Sequence, residues 1–443
     1  MASLSYAPLR NLRVEEAGWS LFAWFGRACD QAAGILLSPL VLAIYALSVE
    51  RDPLRLSWLI ATFGFGWMLG DTVTPFLHRL TVRVMPWIVG GYIVRLSAVL
   101  LLFVAVTSRT SPADERFKST TICFAAYAIA TGISRSAQAR HVFHGSPYHL
   151  WDARRAVAFV GMAAVVGIAA LAAWSVLSTS SMAWSRSFGR VFALAAAALG
   201  VATLAAVREA TINPELPARA RREAPDHDPR RQSLILPATL VATGVTTLPF
   251  VEAMAFLHLF EQFRRQAIYV RGAAAFFVAG WMIGLLVWNG LRGRVAPSTL
   301  AQLAVGCGAL GLLVAIATTE VARSDWFPAT IQGRSTVSIL IYLTGGLVGL
   351  ATSGRRLMLA DVREAGAFHA GWIAPILAGV ASLAPILGGW AATEVSRDWV
   401  LISGVILSML LLTLIGVLPG ASDRRLPRSH AGRSPTPAFL SRD

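Results

Sequence analysis

Apolar runs long enough to cross a lipid bilayer recur about twelve times along this 443-residue chain, and that recurrence leaves few folds open. A helix rises about 1.5 Å per residue, so some 20 residues cover a hydrocarbon core of about 30 Å. The runs fall at 18–48, 56–78, 86–107, 119–138, 155–178, 188–207, 234–259, 267–290, 297–318, 334–353, 366–391 and 398–418. Inside a bilayer every backbone polar group must be satisfied by the chain itself, which leaves helices or a closed barrel. A barrel requires side chains that alternate along short strands. VFALAAAALGVATLAAV (191–207) does not alternate, and the expectation is an all-α membrane protein.

Charge agrees. Only 14% of residues are charged and 55% are hydrophobic, against about 25% charged in a soluble domain. The net charge of +15 rests on 38 arginines and a single lysine, Lys118. These bases sit mainly in short segments between apolar runs, where they orient a membrane protein, so nucleic acid is not an expected partner. With the N-terminus in the cytoplasm, inside segments hold 24 basic residues and outside loops 13. Both termini are therefore expected in the cytoplasm, and the expected location is a bacterial inner membrane. The first apolar run is too long for a signal-peptide core and reads as an uncleaved span.

Residues 208–233, REATINPELPARARREAPDHDPRRQS, form the one long polar interior stretch and read as a cytoplasmic linker. It separates an N-terminal six-helix bundle, 1–207, from a C-terminal one, 234–418. The remainder, 419–443, reads as a disordered cytoplasmic tail. Segments 151–175 and 361–391 occupy matching places in the two halves, each a small-residue helix after a basic loop. Parallel halves of six spans are a transporter pattern.

Local patterns then carry a family resemblance. HRLTVRVMPW (78–87) sits where the major facilitator superfamily places its Gly-x-x-x-Asp-x-x-Gly-Arg-Arg signature, although Pro75 and Arg79 occupy the Gly and Asp positions. GLRGR (290–294) keeps a Gly-Arg pair in the second half without the acid. RRAVAFVGMAAVVG resembles the start of the family's fifth helix and LAPILGGW the end of its eleventh. The resemblance implies about twelve transmembrane helices in two pseudo-symmetric six-helix bundles, a central cavity lined by helices 1, 4, 7 and 10, and alternating access.

Ionisable residues within spans are costly and by default face protein or water. Five lie well inside: Arg27 and Asp30 in WFGRACDQAAG, Asp71 in span 2, Arg95 in span 3 and Glu252 in span 7. Arg27, Asp71 and Arg95 fall at similar depths, roughly 10–14 Å from the cytoplasmic end, with Asp30 one turn deeper than Arg27. Two arginines and two aspartates at one level can neutralise each other. Such a network locks the first bundle; alternatively Arg27 holds an anionic substrate and Asp30 carries a proton. Glu252 has no charged partner in its own helix and is the stronger protonation candidate. Asn289 and Tyr342 are the main polar handles of the second half, which otherwise shows no deep charge.

His141, His144, His149 and Asp152 fall in ARHVFHGSPYHLWDARR, whose loose spacing, broken by Pro147, reads as a solvated loop rather than a metal site. Cys29, Cys123 and Cys307 are far apart and form no CxxC pair. No phosphate loop, dinucleotide fingerprint or nucleophile elbow occurs, so neither a catalytic site nor a cofactor is expected. The expected function is a monomeric secondary transporter for a small solute, driven by protons or by the solute's own gradient, with few polar cavity residues favouring an amphipathic solute and export. Alternatives are a transporter-like assembly or pigment-delivery factor and a multispan membrane transferase.

Overall fold

The computed structural model describes residues 25–49, 52–80, 85–107, 113–145, 184–212, 244–245, 247–260, 267–291, 295, 297–324, 330–364 and 373–417. The helices are α1 Phe25–Leu36 and α7 Thr247–Phe260, with α2 Pro39–Val49, α3 Pro53–Leu80, α4 Met85–Thr107, α5 Ala113–Gly145, α6 Trp184–Ile212, α8 Ala267–Leu291, α9 Pro297–Arg323, α10 Ile331–Glu364, α11 Ile373–Glu394 and α12 Arg397–Val417. Expected span 5, the tail and the linker beyond Ile212 lie outside the described residues, and α6 continues through the linker's first five positions.

Helix starts follow local chemistry. Pro39, Pro53 and Pro297 open α2, α3 and α9, where a missing N–H costs nothing. The Leu54 N–H donates to Asp52 Oδ1 at 3.0 Å, the Gly333 N–H to Thr330 Oγ1 at 2.9 Å and the Asp398 N–H to Ser396 Oγ at 3.1 Å, each a side-chain cap. The first expected span is broken: α1 and α2 meet at a 43° bend, where Ser38 and Pro39 interrupt the helix.

Among the described residues, five helices are long and apolar enough to cross a membrane, and the bent α1–α2 pair makes a sixth. α3, α5, α8 and α11 occupy expected spans 2, 4, 8 and 11. Large apolar side chains such as Leu101, Ile122, Leu383 and Leu410 point outward from the helices, as lipid contact requires. Many hydroxyls are satisfied within their own helices: Thr131 donates to Tyr127 O, Thr318 to Val314 O and Thr344 to Leu340 O, all at 2.7–2.8 Å.

Packing repeats between the halves. α3 lies on α5, α4 on α5, and α4 on α6; six spans later α8 lies on α10, α9 on α10, and α9 on α12. Glycine builds the equivalent contacts. A Cβ at Gly70 would overlap the α5 backbone at Ile129, and one at Gly280 or Gly349 would overlap backbone oxygens across the α8–α10 seam. Between the halves, α3 packs extensively on α11, with a smaller contact between α2 and α8.

Candidate functional site

Asp30 on α1 meets Arg95 on α4, Oδ1 to Nη2, at 2.6 Å. Arg95 is fully buried and Asp30 nearly so. Oδ1 forms an ion pair by distance but not an aligned hydrogen bond. Arg95 Nη2 also donates to the Tyr127 hydroxyl at 3.3 Å, and the guanidinium carbon lies 5.2 Å from the ring centres of both Tyr92 and Tyr127. Phe63 of α3 stacks on Tyr127 at 6.1 Å. A cation without solvent needs this company: a carboxylate for its charge and aromatic faces for its flanks. Among the described residues its Nε and Nη1 have no hydrogen-bond acceptor.

Arg27 is half-buried one turn before Asp30. Asp71 lies on α3, but its side chain, like that of Asn289, is outside the described residues. The expected network is thus brought together at Asp30 and Arg95.

The second centre differs from the sequence expectation. Glu252 on α7 is paired with an arginine that the sequence places in a cytoplasmic loop. Arg355 Nη1 donates to Glu252 Oε1 at 2.6 Å and Nη2 to Oε2 at 2.5 Å, a bidentate pair with both side chains about 2% exposed. Nη2 also donates to Thr352 Oγ1 at 3.1 Å. The second half therefore does contain a deep charge. The candidate span runs to Arg355, two residues past the expected end at 353, and α10 continues helically to Glu364. The signal was present: in SGRRLMLA the arginine pair is followed by another apolar turn, which an exposed loop has no need of.

Gly308 of α9 makes room for this pair. A Cβ there would lie 2.9 Å from Glu252 Oε1 and 3.1 Å from Arg355 Nη1. Both acids therefore stand on the first span of their half and face the third. In the first half the third span supplies the arginine. In the second it supplies a gap, and the arginine comes from the fourth.

Other polar residues have packing surroundings. Tyr342 stacks on Phe276 at 5.0 Å with rings 3° from parallel, above Gly272. His258 is buried near the end of α7. α5 continues helically through His141 and His144, whereas His149 and Asp152 lie outside the described residues. Among the described residues no three His, Cys, Asp or Glu side chains are grouped to hold a metal.

No protein-family model matches the chain, and no curated protein matches its sequence. Solved structures do match. A D-xylose-proton symporter superposes with a TM-score of 0.57 at 11% identity, over 88% of this chain and 96% of that one. The xylose transporter XylE from E. coli, in a partially occluded inward-open conformation, gives 0.56 at 13% identity, over 90% and 98%. The nucleoside transporter NupG gives 0.54 at 11%, over 90% and 97%. At these identities the likeness establishes the fold alone: the chain shares the helical architecture of these transporter structures.

Proposed function

We propose that the protein is a secondary transporter that moves a small solute across a bacterial inner membrane by alternating access, coupled to protons through Glu252. Residues 1–207 and 234–418 form the two moving bundles, 208–233 joins them in the cytoplasm, and the chain works as a monomer with both termini inside. The observation that carries the reading is the buried bidentate Glu252–Arg355 pair within a fold shared with proton-symporter and nucleoside-transporter structures. A proton delivered to Glu252 cancels its charge and releases Arg355, so the pair has two states of different charge and geometry. Binding or release of a proton can then bias two conformations, as coupling requires.

In this reading Asp30–Arg95 holds the first bundle together, with its cation enclosed by tyrosines, and Arg27 is the candidate contact for an anionic group of the solute. The few polar residues on the expected cavity helices favour an amphipathic or hydrophobic solute and export. The test is a solute screen on the purified full chain in proteoliposomes, read as internal pH change and solute flux under an imposed pH gradient. Wild type is expected to show flux that Glu252→Gln abolishes. A folded wild-type protein that moves neither protons nor any solute would instead favour an assembly or delivery role.

A further inference from the structure

Arg355 reaches both oxygens of Glu252 only if α10 presents it at one angle, and the two helices beside α10 carry features that set that angle. On α8, the indole N–H of Trp288 donates to the backbone carbonyl of Leu350 at 2.8 Å. The Trp288 side chain is buried. Ser353 Oγ donates to the same carbonyl at 2.7 Å. Two side-chain donors therefore converge on one carbonyl of α10, little more than a turn before Arg355.

Glycine lets both neighbours come this close. A Cβ at Gly354 would lie 2.8 Å from Trp288 Cε2, 2.9 Å from its Nε1 and 2.7 Å from Ala304 Cβ of α9. A Cβ at Gly284, one turn before Trp288, would overlap Ser353 Oγ and approach the Leu350 carbonyl to 3.1 Å. One turn after Ala304 is Gly308, beside Glu252 and Arg355. Residues 350–355 of α10 are thus held by two faces, each one turn long: Gly284 with Trp288, and Ala304 with Gly308. Arg355 follows Gly354 by one position, about 100° around the helix. Any roll of α10 at Gly354 turns Arg355 with it.

A bidentate arginine–carboxylate contact tolerates little rotation, since a preorganised site holds its groups within about 0.5 Å and 10–20°. We propose that Trp288 is the positioning residue of the Glu252–Arg355 pair. Its bond to the Leu350 carbonyl fixes the roll of α10, and with it the angle at which the guanidinium meets both carboxylate oxygens. Trp288 acts through the α10 backbone, and Thr352 on the same turn takes a further guanidinium bond. When a proton reaches Glu252, α10 stays in place and Arg355 leaves by swinging its side chain. This inference rests on the reading of the pair as the coupling site and adds the residue that sets its geometry.

The test uses the purified full chain. Trp288→Phe removes the N–H. Benzothienylalanine in place of Trp288 removes it with the ring size kept, and decides the matter if Trp288→Phe does not fold. Thermal melting is read in wild-type, Glu252→Gln and Asp30→Asn backgrounds. The melting loss caused by either change at 288 is expected to fall to about half or less in the Glu252→Gln background and to stay full in the Asp30→Asn one. Infrared difference spectra between each protein and its Glu252→Gln form isolate the Glu252 carboxylate stretches, whose positions report one-oxygen or two-oxygen contact. Those bands are expected to move when the N–H is lost. Equal melting losses in all three backgrounds, or unmoved carboxylate bands, would overturn the assignment and leave Trp288 a packing residue. Neither readout needs flux, so a wild-type protein that moves no solute removes the transport reading and leaves the positioning result intact.

Discussion

Arg355 holds both carboxylate oxygens of Glu252, at 2.6 and 2.5 Å, across 103 positions of sequence and away from solvent. Its counterpart, Arg95 with Asp30, is a contact at 2.6 Å flanked by two tyrosine rings. The first arrangement fixes the orientation of the guanidinium through both carboxylate oxygens and the Thr352 hydroxyl. The second fixes it through the walls. Removing the acid should therefore have different consequences at the two sites.

Glu252→Ala leaves Arg355 buried without a counter-charge, and breaking a buried pair from one side costs about 3–5 kcal/mol. The variant should melt well below wild type in detergent. Glu252→Gln keeps an acceptor for one arginine nitrogen and should fold while losing proton-driven uptake. A Glu252→Gln protein with normal coupled uptake would eliminate this residue as the carrier.

Asp30→Ala strands Arg95 in the same way, and the expected loss is again about 3–5 kcal/mol. Replacing both partners, Asp30→Leu with Arg95→Met, removes the stranded charge and should recover much of that loss. A double-mutant cycle on thermal melting reads the coupling directly. Additive effects of the two single changes would show that the contact contributes nothing.

Gly308→Ala inserts a methyl group 2.9 Å from Glu252 Oε1. Overpacking of this kind costs about 1–3 kcal/mol. Here it also pushes on the ion pair, so the defect should shrink in a Glu252→Gln background if the pair is what resists. A Gly308→Ala melting temperature equal to wild type would mean that α9 yields without cost.

Acid sensitivity has an identifiable local source on the loop ends. Asp114 accepts a 3.0 Å hydrogen bond from Arg55 and lies 3.5 Å from Lys118. The Arg55 hydrogen bond first, and then the Lys118 charge, hold its carboxyl below the usual carboxylate range. The folded value is depressed, so the stabilising contribution is present above the ordinary value, about 3.9, and is lost as pH falls through the depressed one. Asp114 is fully exposed, so the effect is small and salt-sensitive. Asp114→Asn should slightly flatten the acid limb of melting temperature against pH at low salt, and 1 M salt should erase the difference. An unchanged acid limb at low salt would discount the pair.

Much of the architecture could be read from the residues. The length of the apolar runs places the spans because a bilayer has a fixed thickness, and the depth of Asp30 and Arg95 placed them at neighbouring levels. The Ser38–Pro39 break could not be found by hydropathy, since α1 and α2 are equally apolar. Arg355 was missed because a basic pair after twenty apolar residues looks like a loop until another helix is there to bury it.

Composition and periodicity, then, are enough to determine a helical chain in lipid with a few formal charges turned inward, because the cost of exposing polar groups to hydrocarbon acts on each segment independently of its neighbours. Which arginine meets which acid, why Gly308 and Gly354 carry no side chain, and how Trp288 comes to reach a carbonyl of α10 were decided only when helices far apart in sequence packed together. Those relationships depend on the distances between helix axes and on the facing of each turn, quantities that no single span contains.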